Sequence, residues 1–297
     1  MATHIVTVAT ESKFYFPYLV ESCKINGIEL EVLGYGEKWR GYNWRFRIMI
    51  DYLDKLPEDD IVCFVDGYDV VCCRDLHQLK AEFLKIKRET NCKIVTGKAN
   101  TSWFLKFLGL MHFGVCNDEV LNAGTYIGLV KDLKIIIRKI YQNNPDDSAD
   151  DQQLMIKHCK TLPNDYFVDS DGKLFVTLAY PLSDVGKYVD IDNNKKLYFN
   201  GHCPFFVHSS GDGFLDSIIQ DLGYPYDNNN TIQRELVTNF FFKVFHHISV
   251  FVYQNILWIL IFIAVVFYFF RKFWIPIKLK NVILKGYKKN FGLSRIT

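Results

Sequence analysis

The chain has 297 residues, of which 49% are hydrophobic and 16% are aromatic, and its formal net charge is +2. This length fits one large domain, or one domain with an appendage. Residues 271–297 are basic and contain no acid, so residues 1–270 hold 27 basic and 33 acidic residues. Such an acidic balance argues against nucleic acid as a partner, because binding its phosphates requires a basic surface.

The eight cysteines do not show a spacing that is typical of a disulfide framework or of a zinc site. No Cys-x-x-Cys pair is present. We therefore interpret the cysteines as buried thiols. The N-terminal segment, MATHIVTVATESK, lacks the basic region and the long apolar core of a signal peptide, and it is typical of a first strand.

Strands and helices are predicted to alternate along most of the chain. The predicted strands cover residues 5–9, 29–33, 61–65, 93–96, 120–130, 174–180, 196–199 and 205–208. The predicted helices cover residues 14–26, 45–56, 76–89, 133–141 and 150–159. This alternation predicts an α/β domain with a mostly parallel central sheet. The predicted boundaries are 1–239 for this domain with its linker from about residue 226, 240–270 for a membrane-proximal and membrane-spanning segment, and 271–297 for a basic tail.

Ile248–Phe270 is a stretch of 23 residues without a formal charge. As a helix it would extend about 34 Å, enough to cross the hydrocarbon core of a bilayer. Arg271 and Lys272 follow directly, as is common at a membrane boundary. A buried core helix is the alternative. We predict one transmembrane helix and a single-pass membrane protein, in the endoplasmic reticulum and secretory pathway or in a viral or host membrane, with its orientation open.

Two carboxylates follow the apolar run at 61–65, in the segment Asp66-Gly67-Tyr68-Asp69. In open α/β sheets, ligands bind at the carboxyl ends of the strands. Hard divalent cations take oxygen ligands there and bridge to substrate phosphates. The alternative is a turn that ends the strand, since Asp and Gly both favour turns. A phosphatase of the haloacid type is set aside, because it requires Asp-x-Asp at this position.

Six segments become recognisable when they are taken together in chain order. They are VTVAT at 6–10, LGYGEKWRG at 33–41, FVDGYDVV at 64–71, LNAGTYIG at 121–128, DDQQL at 150–154 and the loop at His208. Over residues 4–225 the chain resembles the glycosyltransferase domain of the multifunctional lysyl hydroxylases, the procollagen-lysine enzymes that glycosylate hydroxylysine. The resemblance implies a GT-A-like fold, a UDP-sugar donor and Mn²⁺. No dioxygenase domain is present in the sequence, so hydroxylase activity is expected to be absent.

The resemblance also implies roles for single residues on the donor side. Asp66, Asp69 and His208 would hold the metal, although a histidine alone is more often a core or loop residue. Tyr68 would stack on uracil. The remaining donor-side residues implied by the resemblance are Thr10, Trp39, Asn122, Gly124 and Gly211. For Trp39 the alternative is an aromatic residue that shields the core, and for Gly124 it is a close backbone approach.

On the side of sugar transfer, the resemblance assigns Asp150 and Asp151 to the transfer site and Trp103 to the edge of the acceptor pocket. Carboxylates in the first turn of a helix are also stabilised by the helix dipole, and this alternative stays open. The chain departs from the family at Ala99, where the family has an acidic residue. It departs again at Ser209-Ser210, in the loop after His208.

Two functions follow from these observations. The first is a membrane-anchored, metal-dependent glycosyltransferase that moves a hexose from UDP-glucose or UDP-galactose to a protein or glycan acceptor. Collagen-like hydroxylysine and its galactosyl derivative are among the candidate acceptors. The alternative is a non-catalytic membrane protein that keeps the fold to bind a glycan or a partner, and Ala99 is the residue that favours it. Retention or inversion at the anomeric carbon stays open.

Overall fold

The structure is a computed structural model, which describes residues 1–227, 231–245, 249, 260 and 262–270. The chain divides into two compact units, Met1–Asn239 and Phe240–Thr297. The first unit carries every element that is named below.

The strands are β1 (Thr3–Val8), β2 (Leu30–Leu33), β3 (Ile61–Val65), β4 (Val70–Cys72), β5 (Ile94–Asn100), β6 (Leu121–Leu129), β7 (Tyr166–Asp169), β8 (Phe175–Leu178), β9 (Asp190–Ile191), β10 (Leu197–Tyr198) and β11 (Phe206–His208). The helices are α1 (Phe16–Ile25), α2 (Trp44–Leu53), α3 (Leu79–Thr90), α4 (Trp103–His112), α5 (Val130–Asn143), α6 (Asp151–Thr161) and α7 (Asp216–Asp221). Helical residues also occur at 231–245. The predicted α/β alternation is therefore observed, while β4, β7, β9, α4 and α7 were not predicted.

The central sheet has the strand order β2-β1-β3-β6-β5-β8-β11-β4, with β7 also paired to β5. The pairs β1–β2, β1–β3, β5–β7, β5–β8 and β8–β11 are parallel. The pairs β3–β6, β5–β6 and β4–β11 are antiparallel. Every residue of β6 is buried, so its apolar sequence gives no signal of its direction. Because β6 runs antiparallel, its first residues lie at the same sheet edge as the last residues of β3.

Helices cover both faces of this sheet. On α5, the buried side chains of Leu133, Ile136, Ile137 and Ile140 recur at helical spacing and pack into one core cluster with α2 and α6. The opposite face packs against α1 and α3, as Leu19 and Phe83 show. The sheet is thus fixed between two layers of helices, and its edge at the ends of β3 and β11 is where polar side chains gather.

One pair of cysteines contradicts the interpretation of all eight as thiols. Cys116 and Cys159 form a disulfide with a Cα–Cα distance of 5.7 Å, and it joins the segment before β6 to α6. The two residues are separated by 43 positions, so local spacing carried no signal of the bond. The other cysteines are free thiols, and all of them except Cys203 are buried.

The prediction of a transmembrane helix over Ile248–Phe270, and with it the single-pass membrane localisation, is contradicted by the structure. Within the described ranges, no helix is both long enough and apolar enough to cross a bilayer. Residues 262–270 of the predicted span are a described helical stretch. Apart from that stretch, Ser249 and Leu260, the predicted span lies outside the described residues, as does the tail at 271–297.

Candidate metal and donor site

Asp66, Asp69 and His208 lie together at the edge of the sheet. Each offers one ligand atom, and these atoms are all within 4.8 Å of one another. Asp66 follows β3, and its backbone N–H donates to the Gly124 carbonyl at 2.7 Å. The chain then turns into β4, which pairs with β11 so that Val70 lies opposite His208. The Ser209 N–H donates to the Asp69 carbonyl at 2.8 Å and closes this arrangement.

Two buried atoms of this cluster have no hydrogen-bond partner. His208 Nε2 lies 3.1 Å from Asp69 Oδ1, within ion-pair distance, but the two groups are not aligned for a hydrogen bond. Asp69 Oδ1 and His208 Nδ1 are both left without one. Unpaired buried polar atoms are costly, and a bound cation would remove part of that cost. Two carboxylates and an imidazole form a donor set that suits a divalent cation such as Mn²⁺.

The electrostatics of the three groups differ. Burial raises the pKa of Asp69, and neighbouring Asp66 adds to this effect. Burial also opposes ionisation of Asp66, but Arg45 and His208 outweigh it and hold the pKa of Asp66 below its usual value. Burial disfavours the imidazolium form of His208, yet Asp69 outweighs it and raises the pKa of His208. Protons and a cation therefore compete for the same nitrogen and oxygen atoms.

Arg45 is a site residue that the sequence did not indicate. It lies in the first turn of α2, and it is buried. Its Nη1 donates to Asp66 Oδ2 at 2.8 Å, and its Nε donates to Asp151 Oδ2 at 2.9 Å. The Arg45 Nη2 also donates to Asp151. One guanidinium thus connects the metal-site carboxylate to the acidic start of α6. The only sequence signal was an arginine at the start of a predicted helix.

Asp150 and Asp151 have different surroundings. Asp150 is the N-cap of α6, and its Oδ1 accepts from the Gln153 N–H at 2.9 Å. Asp151 is buried in the first turn and is held by Arg45. Burial raises the pKa of Asp151 to about 6, with Arg45 opposing this shift and Asp150 adding to it. The capping explanation accounts for Asp150, whereas Asp151 turns inward to the cluster that contains Asp66.

Tyr68 and Thr10 meet at the ends of β3 and β1. The Thr10 N–H donates to the Tyr68 hydroxyl at 2.8 Å. Lys13 Nζ lies 5.1 Å from the centroid of the Tyr68 ring, and Phe14 meets the ring edge-on. Gly67 is needed at the turn because a Cβ there would lie 3.0 Å from the Val8 carbonyl oxygen. The half-buried ring of Tyr68 is thus fixed beside the metal-site carboxylates.

Gly124 and Asn122 support His208 from β6. A Cβ at Gly124 would lie 2.3 Å from His208 Cε1, so only glycine leaves room for the imidazole. Asn122 Oδ1 accepts from the Gly124 N–H at 2.9 Å, and its Nδ2 donates to Gln152 Oε1 at 3.1 Å. The alternative interpretation of Gly124, a close approach to its backbone, agrees with this geometry. The group that approaches the backbone is the His208 side chain.

The three remaining predicted residues lie on other segments of the domain. Trp39 packs edge-on against Trp44, with ring centroids 5.7 Å apart. Trp103 begins α4 and is 82% exposed. Gly211 lies in the loop after β11 with a φ of 82°, a conformation that favours glycine. Trp39 is 38% exposed, and its role at the donor stays a prediction.

Comparison with known proteins identifies the class. The family described as the PLOD GT domain matches residues 1–223, so the domain is of the glycosyltransferase type. The chain belongs to the PLOD GT domain family. A GT-A-like α/β fold agrees with this membership and with the observed sheet.

Curated relatives match the same region. The chain is 28% identical over 224 residues to the multifunctional procollagen lysine hydroxylase and glycosyltransferase of Caenorhabditis elegans, covering 70% of this chain and 30% of that protein. It is 26% identical over 225 residues to procollagen-lysine,2-oxoglutarate 5-dioxygenase 2 of Homo sapiens, covering 70% of this chain and 29% of that protein. The chain thus spans less than a third of the length of these relatives.

Solved structures give weaker matches. A glycosyltransferase involved in glycosylation of the major capsid of PBCV-1 is 15% identical, with a TM-score of 0.40 over 71% of this chain and 94% of that one. The galactosyltransferase LgtC is 13% identical, with a TM-score of 0.43 over 77% of this chain and 99% of that one. TM-scores this low do not establish a common fold.

Proposed function

We propose that this chain is a divalent-cation-dependent glycosyltransferase that moves a hexose from UDP-glucose or UDP-galactose to a protein or glycan acceptor. Collagen-like hydroxylysine and its galactosyl derivative are the first acceptors to consider. The observation that carries the proposal is the cluster of Asp66, Asp69 and His208, with its unpaired buried atoms at the carboxyl edge of the sheet. Membership of the PLOD GT domain family supports it.

In this proposal Asp66, Asp69 and His208 hold Mn²⁺. When bound, the cation supplies charge neutralisation for the diphosphate leaving group. Arg45 keeps Asp66 ionised and oriented, because its guanidinium donates directly to the carboxylate. Pairing and burial together pre-organise these groups, so little reorganisation is needed during transfer.

Donor and acceptor contacts complete the proposal. Tyr68 offers its ring to uracil, with its hydroxyl fixed by Thr10. Asp151 lies beyond Arg45 and, with a pKa of about 6, accepts a proton or stabilises positive charge near neutral pH. Asp150 orients the same helix end. Further donor contacts are assigned to Trp39, Asn122, Gly124 and Gly211, and an acceptor contact is assigned to Trp103.

The test is release of UDP from UDP-glucose and UDP-galactose by the full chain, with Mn²⁺ and again after chelation. We expect metal-dependent release from at least one donor, and its loss in Asp69→Asn. The matched control is Asp59→Asn, which changes an exposed acid paired with Lys131. Failure to release UDP from either donor with Mn²⁺ or Mg²⁺ would favour the non-catalytic binding protein. Release that survives chelation would remove the metal from the proposal.

A further inference from the structure

A cavity opens at the sheet edge that carries the candidate metal site, and the proposed function gives this cavity no role. Its volume is about 280 Å³, and it lies at the carboxyl ends of β5 and β8. Its lining residues come from these strands, from α4 and from the loops that follow β8 and β10. They are Lys98, Ala99, Asn100, Thr101, Lys106, Leu178, Tyr180, Tyr188 and Phe199.

The strand register places this cavity next to the metal ligand His208. Ala99 of β5 pairs with Thr177 of β8, and Thr177 pairs with His208 of β11. Neighbouring strands are about 4.8 Å apart, so the backbone of Ala99 lies about 10 Å from that of His208. A molecule in the cavity would therefore be within one sugar unit of a donor held at the metal site.

Aromatic rings form one wall of the cavity. Tyr180 and Tyr188 are stacked, with ring centroids 3.7 Å apart and an interplanar angle of 15°. Phe199 contributes a third ring to the lining. Flat apolar rings with a few polar groups around them are typical of small-molecule sites, and they suit the C–H face of a pyranose ring.

The charge of the lining is one-sided. Lys98 and Lys106 line the cavity, and no acidic residue is among the lining residues. Glu119 lies behind them, with its Oε1 2.7 Å from Lys98 Nζ and its Oε2 4.0 Å from Lys106 Nζ. One carboxylate is therefore shared by two ammonium groups, which leaves one positive charge next to an apolar wall. Such a wall weakens solvent screening of that charge.

We propose that this cavity binds an acidic sugar unit of the acceptor, with the sugar ring on the tyrosine wall and its carboxylate or phosphate on Lys98 and Lys106. The inference rests on the proposed function, because it assigns the cavity to the acceptor of that transfer. It narrows the acceptor class from any protein or glycan to an anionic glycan, and it places such a glycan ahead of collagen-like hydroxylysine and its galactosyl derivative, which carry no acidic sugar.

The test is calorimetric binding of three probes to the full chain, without any donor: glucose, glucuronic acid and glucose 6-phosphate. We expect at least one acidic probe to bind about threefold or more tightly than glucose, which is the size of effect that a partly exposed ion pair supplies. Comparison of the two acidic probes separates a carboxylate site from a phosphate site. Added salt should reduce the preference.

Variants of residues that line the cavity test whether the preference for an acidic probe over glucose arises there. Lys106→Gln changes an exposed side chain and should remove most of the preference for the acidic probe. Lys131→Gln is the matched control, because that lysine pairs with Asp59 on another surface, and it should keep the preference. Tyr188→Leu should weaken the binding of all three probes to the same extent.

Three results would overturn the inference. They are equal binding of glucose and both acidic probes, a preference that survives Lys106→Gln, and no measurable binding of any probe at about 10 mM. Because no UDP-sugar is present, these results are independent of the UDP-release assay. Loss of UDP release with retained acidic-sugar binding would count against the transferase proposal alone.

Discussion

Two neighbouring clusters at the same sheet edge are completed in different ways. The candidate metal cluster of Asp66, Asp69 and His208 contains two buried atoms that have no hydrogen-bond partner in the protein. The cluster of Arg45 and Asp151 is internally paired, with the guanidinium donating to the carboxylates on both sides. We therefore expect a ligand from solution to complete the first cluster, whereas contacts within the chain complete the second. Stability measurements can separate these two kinds of dependence.

The paired cluster should give the largest effect. Arg45→Ala removes the partner of two carboxylates, one of them fully buried, and should lower the free energy of unfolding by about 3–5 kcal/mol. Urea denaturation of the variant and the wild type measures this loss. Arg138→Ala is the matched control, since Arg138 pairs with Asp54 at the surface, and it should cost about 0–1 kcal/mol. Equal losses in the two variants would mean that Arg45 does not hold the cluster together.

The incomplete cluster should respond to metal. Mn²⁺ at about one hundred times its dissociation constant should stabilise the wild type by about 2.7 kcal/mol, because only the folded chain presents the site. The melting temperature with and without Mn²⁺ measures this effect. Asp69→Asn should abolish the increase, and Asp59→Asn should retain it. An increase that survives Asp69→Asn would place the cation elsewhere.

Asp151 should make the paired cluster sensitive to pH. Its pKa is raised in the fold from 3.8 to about 6, so the folded state binds the proton more tightly than the unfolded state does. The contribution of Asp151 to the free energy of unfolding is then greatest below pH 3.8, and it is lost as the pH rises towards 6. The expected loss is roughly 2 kcal/mol.

Asp151→Asn should remove this loss, as measured by urea unfolding at pH values from 4 to 7. The difference between variant and wild type isolates Asp151 from the other titrating groups. If the free energy of unfolding changed with pH by the same slope in both proteins, the pH dependence could not be assigned to Asp151.

The smallest expected effect concerns the support of the metal ligand. Gly124→Ala places a methyl group against His208 and should weaken Mn²⁺ binding by about tenfold, the lower end expected for a residue that orients a ligand. Calorimetry with Mn²⁺ measures the affinity. Gly109→Ala is the control, because nothing lies within 4 Å of its added Cβ. Unchanged affinity in Gly124→Ala would show that His208 can move without loss of the site.

The sequence predicted the metal cluster better than the paired cluster for a physical reason. Asp66 and Asp69 follow a recognisable buried strand, and His208 ends another, so the ends of strands brought them together. Arg45 and Asp151 are 106 positions apart. The start of α2 meets the segment before α6, where the Asn43 N–H donates to the Ala149 carbonyl at 3.0 Å. Neither the spacing nor the helical pattern of either segment carries that information.

The same reasoning explains the other differences. β6 is buried along its whole length, so its composition gave its existence and not its direction. The segment at 102–113 is mostly apolar, with Lys106 among its large apolar residues, and α4 was not predicted there. The apolar run at 248–270 is long enough in sequence to span a bilayer as a helix. No helix among the described residues is long and apolar enough to do so.

The disulfide between Cys116 and Cys159 turns the segment between them into a covalent ring. That ring contains β6, α5 and most of α6, and so it carries Asn122, Gly124, Asp150 and Asp151 on one closed length of chain. A reduced chain must close the same loop by packing alone, at a larger cost in chain entropy. Folding in a medium that keeps these two cysteines reduced therefore carries this extra entropic cost, before any substrate is present.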